Sequence, residues 1–248
     1  MTTIRLVVTC LLFLLSGTGQ TAEVTVLSGG AIEPGLKAAT AAFQKESGHT
    51  VKITFNTTPQ IVKRVGAGET FDVVIAPPGA LKDLAFGNKL EGGGVNVGRV
   101  GMGVLVRPGA SVPDIANADA IKRTVLEAES IVFNRASTGL YFEGLLKKMG
   151  VYEQVEAKTT RYADGASVME HILKGKGREV GFAAITEILL YKEKGMNYVG
   201  PLPAEIQNYT AYIATPMIAG INKEAAQALV RFLGGPIGKP VFVAAGIE

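Results

Sequence analysis

The sequence predicts an α/β fold in which two lobes, each a parallel-type sheet flanked by helices, enclose a cleft. Three strand–helix units follow one another in the first third of the chain, an alternation typical of a parallel sheet covered on both faces. A second alternating unit occupies the middle of the chain, and a further strand near its end returns to the first lobe. Because this path connects the lobes twice, we expect them to close about a hinge.

The first lobe is expected to contain residues 23–98 and 208–248. Its first strand, Val24–Leu27, is an apolar run ended by Ser28-Gly29-Gly30, and its first helix, Ile32–Lys45, carries apolar residues at helical spacing. The other strands are expected at Thr50–Phe55, Phe71–Ala76 and Asn208–Ala214, and the other helices around Ile61–Val65, near Ala80–Phe86, at Lys223–Leu233 and at Pro240–Ala245.

The second lobe is expected to contain residues 99–207. The long strand Val97–Val106, interrupted by glycines, crosses into it, and the two hinge segments are expected near residues 97–100 and 204–210. The other strands are expected at Ser130–Phe133, Lys158–Tyr162 and Glu179–Ala184, and the helices at Asp119–Glu127, Leu140–Met149, Val168–Leu173 and Ile185–Lys194.

The first 22 residues have the pattern of a secretory signal peptide. Arg5 gives a positive start, Leu6–Leu15 is an apolar run too short to span a bilayer, and small residues lead to a cleavage site near Ala22. Because the single cysteine, Cys10, lies in that run, the mature chain is expected to have neither disulfides nor thiol chemistry. The net charge of +3 is too weak a bias to indicate a nucleic-acid partner.

Five turns follow strands of the two lobes, and four of them carry hydroxyl groups, glycines or both and open helices. The four are Ser28-Gly29-Gly30, Thr57-Thr58-Pro59-Gln60, Ser137-Thr138-Gly139 and Asp164-Gly165-Ala166-Ser167, and the fifth is Ala76-Pro77-Pro78. Ligands of open parallel sheets bind beyond the carboxyl ends of the strands, so these turns are expected to face each other. Helix N-termini offer free N–H groups and a partial positive charge. We therefore predict an anion site in the cleft, the alternative being that these residues only cap their helices.

As caps, Thr58 is expected at the start of its helix, Ser137 or Thr138 at the next, and Asp164 or Ser167 at the third.

Several motifs, in a fixed order, are shared with a known protein family. They are Val26-Leu27-Ser28-Gly29-Gly30-Ala31-Ile32, Thr54-Phe55-Asn56-Thr57-Thr58, Gly66-Ala67-Gly68, Phe71-Asp72-Val73-Val74-Ile75-Ala76, Ser137-Thr138-Gly139-Leu140-Tyr141, Val180-Gly181-Phe182 and Phe232-Leu233-Gly234-Gly235-Pro236. With these motifs the chain resembles the type II periplasmic solute-binding proteins, and most closely their molybdate-binding members, over essentially the whole mature chain.

The resemblance implies a monomeric periplasmic receptor that holds a small anion, molybdate or tungstate first, for an inner-membrane ABC permease. It implies no cofactor, no metal and no catalysis. By position it places ligand-binding roles on Ala31, Thr58, Thr138 and Ala184. Ala31 and Ala184 lack the hydroxyl group that the family has there, so Ser28 and backbone N–H groups are expected to serve the first turn.

Two arginines leave a second ligand class open. Arg135 lies just before the Ser137 turn, and Arg161 precedes the Asp164 turn. Because a guanidinium matches a carboxylate bidentately, an arginine in the cleft would favour an organic acid or another anion. Glu33, in the first turn of its helix, would repel an anion or point to solvent.

An exported enzyme is the third possibility, and the sequence offers it little support. The chain contains neither a Gly-x-Ser-x-Gly elbow nor a His-Glu-x-x-His pair. His49 and His171, the only histidines, have no partner at metal-ligand spacing and are expected to be structural. Asp72 and Asp164 fit capping or strand-edge positions.

Overall fold

The computed structural model of the protein describes residues 21–83 and 87–248. Residues 1–20, which hold nearly all of the expected signal peptide, lie outside the described residues. So do residues 84–86, the end of the helix expected near Ala80–Phe86. Within the described ranges, no helix has both the length and the hydropathy needed to cross a membrane.

The described residues form a mixed α/β architecture. The strands are β1 (Glu23–Gly29), β2 (Thr50–Asn56), β3 (Val73–Ala76), β4 (Val95–Val106), β5 (Ser130–Asn134), β6 (Thr159–Tyr162), β7 (Glu179–Ala184), β8 (Asn197–Pro201) and β9 (Tyr209–Pro216). The helices are α1 (Glu33–Ser47), α2 (Thr58–Gly66), α3 (Pro78–Leu81), α4 (Ala118–Glu127), α5 (Ser137–Lys148), α6 (Tyr152–Val155), α7 (Gly165–Lys174), α8 (Ile185–Leu190), α9 (Lys223–Gly234) and α10 (Gly238–Ala244).

Two groups of strands share β4. In the first sheet, β1 is parallel to β2 and β3, and β9 runs antiparallel to β3 and to residues 95–101 of β4. In the second sheet, β5 is parallel to β6 and β7, and residues 102–106 of β4 run antiparallel to β7 and β8. The expected α/β class is confirmed. Each sheet is mixed rather than purely parallel, because β4 and β9 run against their neighbours.

The start of β4 holds the end of the chain in place. Arg99 and Glu248 exchange backbone hydrogen bonds of 2.7 and 3.0 Å. Gly98 has a φ of +137°, and a side chain there would lie 2.6 Å from Ile247. Only glycine allows this close approach, since other residues rarely adopt that backbone conformation.

Each sheet has its own apolar core. Leu36 and Phe43 of α1 pack with Leu229 of α9 and Phe242 of α10 against the first sheet. In the second sheet, Phe142 of α5 stacks on Phe182 with ring centroids 3.8 Å apart. Burying a Leu or Phe side chain stabilises the fold by about 1.5–3 kcal/mol, so these contacts fix how each helix lies on its sheet.

Several elements differ from the sequence prediction. Helix α5 begins at Ser137 rather than Leu140, and α8 ends at Leu190, where a 3-10 turn follows. Strand β8 was not expected, because its Asn, Gly and Pro residues are typical of turns. It forms because the second half of β4 offers it a pairing edge. The short helix α6 was also not expected.

Candidate functional site

A cavity of about 470 Å³ lies where the carboxyl ends of strands from both sheets meet. It is lined by Gly29, Gly30, Ala31, Glu33, Phe55, Asn56, Thr57, Thr58, Gln60, Asn134, Ala136, Ser137, Thr138, Asp164, Gly165, Ala166, Glu187, Leu190, Tyr191 and Tyr212. These residues end or follow β1, β2, β5, β6 and β7, with Tyr212 added from within β9. The cleft predicted from the turns is therefore present as a cavity with residues from both sheets.

Four helices begin at this cavity. Gly30 and Ala31 form a 3-10 turn that leads into α1, and Thr58, Ser137 and Gly165 are the first residues of α2, α5 and α7. The first N–H groups of a helix have no partner within the helix. Each N-terminus also carries about half a positive charge from the aligned peptide dipoles. The cavity is therefore surrounded by backbone donors with a positive potential.

Side chains next to the cavity hold these helix starts in place. The backbone N–H of Thr57 donates to Oε1 of Gln60 at 3.1 Å, in a capping box. Asp164 caps α7, since its Oδ1 accepts from the backbone N–H of Ser167 at 2.8 Å. Thr57, and not Thr58, therefore caps α2. Thr58 has no capping role and lines the cavity.

Buried Asn134 orders the start of α5. Its Oδ1 accepts from the backbone N–H groups of Ala136 and Gly139 at 3.0 and 3.1 Å, and from the hydroxyl of Thr138 at 3.2 Å. The expectation that Ser137 or Thr138 caps this helix is wrong, because Ala136 occupies the capping position and Asn134 supplies the acceptor. A side chain at Gly139 would lie 1.7 Å from the Asn134 carbonyl, so glycine is required there.

Two hydrogen bonds join the helix starts across the cavity. The Ser137 hydroxyl donates to the Thr58 hydroxyl at 2.9 Å, and the Thr186 hydroxyl donates to the Ala31 carbonyl at 2.5 Å. Each bond links an element of the second sheet to one of the first sheet. The two walls of the cavity therefore touch through polar groups at these two points.

Glu187, on α8, places a carboxyl group between the two walls. Its Oε2 is buried and has no hydrogen-bond partner within the described residues. A side chain at Gly165 would lie 2.2 Å from Oε2, and one at Gly30 would lie 3.6 Å from Oε1. Burial raises the pKa of Glu187 to about 7, with further increases from the charges of Asp164 and Glu33 and an opposing effect of the Ala184 backbone amide.

Tyr212 closes one side of the cavity. A side chain at Gly29 would lie 2.6 Å from its ring, so glycine at this position lets the ring pack against the end of β1. Burial raises the pKa of Tyr212, and the charge of Glu187 raises it further. The Tyr212 hydroxyl is therefore neutral at ordinary pH and is available as a polar group.

The ionisable carboxyl groups of the lining come from Glu33, Asp164 and Glu187, and no Lys or Arg is among the lining residues that the structure describes. Glu33 is paired with exposed Lys37. Positive potential at the cavity thus comes from backbone dipoles rather than from cationic side chains.

Nine of the residues that the sequence predicted for the site line this cavity. They are Gly29, Gly30, Ala31, Thr57, Thr58, Ser137, Thr138, Asp164 and Gly165. Ser28 and Ala184 are fully buried outside the lining, and the Ser28 hydroxyl donates to the Gly29 carbonyl at 3.2 Å.

Neither predicted arginine contacts the cavity. Arg135 is exposed, and its backbone N–H donates to the Tyr162 carbonyl at 2.8 Å. Arg161 pairs with Glu143 and lies 5.3 Å from the centre of the Phe133 ring. Recognition of an organic acid by Arg135 or Arg161 is therefore corrected, since the Arg135 side chain is exposed outside the lining and the Arg161 side chain pairs with Glu143.

Sequence reasoning missed the residues that complete the lining: Phe55, Asn56, Asn134, Ala136, Glu187, Leu190, Tyr191 and Tyr212. One signal pointed to Glu187. It lies three residues after the end of β7, in the same strand-to-helix position as the turns that were singled out. Tyr212 lies within β9 and had no such signal.

Comparisons with known proteins agree with this architecture. The family described as bacterial extracellular solute-binding protein matches residues 24–248. Aconitate isomerase of Pseudomonas sp is 30% identical over 217 residues, which cover 85% of this chain and 81% of that protein. The molybdate-binding protein ModA of Azotobacter vinelandii is 29% identical over 252 residues, 98% of this chain and 96% of that protein.

A solved structure shows the same fold. The periplasmic molybdate-binding protein of Azotobacter vinelandii superposes with a TM-score of 0.75 at 18% identity, covering 91% of this chain and 98% of that one.

Proposed function

Because the chain belongs to the bacterial extracellular solute-binding proteins, we propose that it captures a small anion in the cavity for delivery to an ABC importer. The observation that carries this proposal is the convergence of four helix N-termini on one cavity. A hydrogen bond to a charged group contributes about 1.5–3 kcal/mol, and a helix dipole about 0.3–1 kcal/mol more. A few such donors support a dissociation constant in the micromolar range or below, after ordering costs.

The ligand class that the cavity favours is a small organic acid. Its volume of about 470 Å³ falls in the range of about 300–1,000 Å³ that is usual for organic ligands. A single tetrahedral oxyanion would leave most of that volume to water. The similarity to an aconitate isomerase supports aconitate as the first probe.

A molybdate-like oxyanion is the second ligand candidate. The donors at Ser137, Thr58 and the helix starts are neutral, so they bind a fully ionised oxyanion without transferring a proton. Similarity to a molybdate-binding protein over almost the whole chain supports it. The cavity volume weighs against it, since a single oxyanion fills little of that space, whereas the acidic lining repels either anion and does not separate the two candidates.

The remaining parts of the proposal concern assembly and location. Two lobes close on the anion, with β4 and the segment before β9 as the hinge. One lobe comprises residues 23–98 and 208–248, and the other comprises residues 99–207. A monomeric mature chain, released from its signal peptide near Ala22, works in the periplasm beside an inner-membrane permease. The family membership and the separate cores of the two sheets support this arrangement.

Isomerase activity is a second candidate function, and Glu187 is the observation that favours it. A carboxyl group whose pKa is about 7 can both accept and return a proton. Glu187 would take a proton from a carbon next to a carboxylate of an unsaturated acid, the C–H electron pair would enter the conjugated system, and the proton would return to another carbon. No co-reactant is needed. The relative that is an aconitate isomerase supports this chemistry.

Titration calorimetry and proton NMR separate these readings. Purified mature chain is titrated with cis-aconitate, trans-aconitate, molybdate, tungstate and sulfate, and each aconitate isomer is then incubated with the protein in D2O. A receptor binds at least one anion and returns it unchanged. Conversion of one isomer into the other, with deuterium at carbon, would establish the isomerase. Absence of heat and of thermal stabilisation with all five would contradict the receptor.

A further inference from the structure

The least satisfied polar atom in the cavity is Oε2 of Glu187. It is buried without a hydrogen-bond partner within the described residues, whereas the other cavity carboxyl groups are engaged. Asp164 caps α7, and Glu33 pairs with Lys37. A buried, unpaired carboxylate is costly, and a neutral carboxyl group avoids that cost while gaining an O–H donor.

The groups that face Glu187 come from every element around it. Asp164 of the α7 cap and Glu33 of α1 are acidic, and Tyr191 and Tyr212 are neutral phenols whose pKa is raised by burial. No cationic side chain is among the described residues that line this space. An anion that enters the cavity therefore adds a further negative charge beside a carboxyl group with no counter-ion.

We propose that Glu187 is a ligand-binding residue that acts in its protonated form, donating a hydrogen bond from Oε2 to the bound anion. The inference rests on the proposed function, since it requires an anion in this cavity. When Glu187 is ionised in the free protein, binding of the anion is therefore accompanied by uptake of one proton from solution. A group that is half-protonated near pH 7 in the free protein becomes fully protonated in the complex.

The sign of the pH dependence follows from this proton uptake. Below about pH 7 Glu187 of the free protein already carries the proton, so the affinity for the anion does not change with pH. Above it, affinity falls by up to tenfold per pH unit, until the pH reaches the higher pKa of the complex. A carboxylate that stays ionised throughout this pH range, in the free protein and in the complex, would give no such fall.

Calorimetry with aconitate and, separately, molybdate tests the inference between pH 6 and 9 in buffers of different ionisation enthalpy. The wild-type chain is expected to take up close to one proton per anion at pH 8. Glu187→Gln keeps the shape and a donor without a titrating proton, so its affinity should be independent of pH and its proton uptake zero. Glu193→Gln, in the exposed turn that follows α8, is the matched control and should behave as wild type.

Each other outcome has a distinct meaning. Binding with constant affinity and no proton uptake in the wild-type chain would overturn the role of Glu187 and leave the receptor proposal intact. Failure of these two anions and of the other three tested above to bind wild type and control would contradict the receptor proposal itself, and the role of Glu187 with it. If Glu187→Gln does not fold, the titration of the Glu187 carboxyl group is followed by carbon-13 NMR in the wild-type chain. A midpoint near pH 7 supports the inference, and a midpoint below pH 5 overturns it.

Discussion

The Ser137 hydroxyl donates a hydrogen bond to the Thr58 hydroxyl, with 2.9 Å between the two oxygens. Ser137 begins α5 beside the second sheet, and Thr58 begins α2 beside the first. The two helix starts that the sequence marked as anion donors are thus in direct contact. A ligand that reaches both must share or replace this bond.

Removing either hydroxyl is expected to weaken anion binding by about ten- to a hundredfold, because one hydrogen bond to a charged ligand is worth about 1.5–3 kcal/mol. Calorimetry on Ser137→Ala, Thr58→Val and the double variant measures this. The double variant should lose less than the product of the single losses, since the two hydroxyls share a bond. Ser111→Ala, at an exposed position outside the cavity, is the control. Unchanged affinity in both single variants would remove these hydroxyls from the site.

A methyl group at Gly165 is expected to displace the Glu187 carboxyl, since it would lie 2.2 Å from Oε2. Gly165→Ala should therefore weaken anion binding at least tenfold with a smaller effect on folding, because the end of a side chain can move. Gly144→Ala, in α5 with open space around it, is the matched control. It should keep full affinity and gain about 0.5–1 kcal/mol of stability. Equal affinity in the two variants would show that Glu187 does not border the ligand.

Loss of Arg135 is expected to leave anion affinity within about twofold, since an exposed charge outside the cavity is screened by solvent. Arg161→Ala should lower the melting temperature, because it frees Glu143 and uncovers Phe133, and should also keep the ligand preference. Thermal denaturation and calorimetry on both variants measure these effects. A tenfold or greater loss of affinity in Arg135→Ala would restore the arginine as a ligand residue.

Asp72 is expected to make stability depend on acid pH. It accepts from the backbone N–H and hydroxyl of Thr25 at 2.8 Å each, and from the backbone N–H of Asn222 at 2.8 Å. Burial alone would raise the pKa of Asp72, but the hydrogen bonds from Asn222 and Thr25 lower it overall. A lowered folded-state pKa gives stability that is present above the unfolded-state pKa and is lost as pH falls through the folded-state pKa.

Asp72→Asn should therefore lose about 1–3 kcal/mol at neutral pH and depend less on pH in the acid range. Urea unfolding of both chains between pH 3 and 7 measures this. Asp119→Asn, in the first turn of α4, serves as the control. Parallel pH curves for wild type and Asp72→Asn would contradict the role of this carboxylate.

The sequence predicted strands best where an apolar run ends at a turn. Strand β7 was expected at Glu179–Ala184 and has those bounds. The start of α5 was misplaced by three residues, because the group that organises it is Asn134, a residue of the preceding strand. These contacts are local, spanning two to five residues, but the Asn134 side chain lies before the helix and adds nothing to the periodic pattern of the helix itself.

The turns of the candidate site were predictable because their strands end at the same edge of the fold. The direction of individual side chains was not. Arg135 lies between two lining residues in the sequence, Asn134 and Ala136, yet its own side chain is exposed and outside the lining. In the sequence, Glu187 looks like any charged residue on the exposed face of a helix. Only its packing between Gly30 and Gly165 in the folded chain places it in the cavity.

The central claim is that backbone N–H groups at the helix starts hold the anion, and nitrogen-15 NMR of the labelled mature chain tests it most directly. On titration with aconitate, and separately with molybdate, the amide signals of Gly30, Ala31, Thr58, Ser137, Thr138, Gly165 and Ala166 should shift downfield and saturate with one dissociation constant. The Arg135 side-chain signal should not move. Saturable shifts concentrated away from the cavity, with these amides unchanged, would contradict the account.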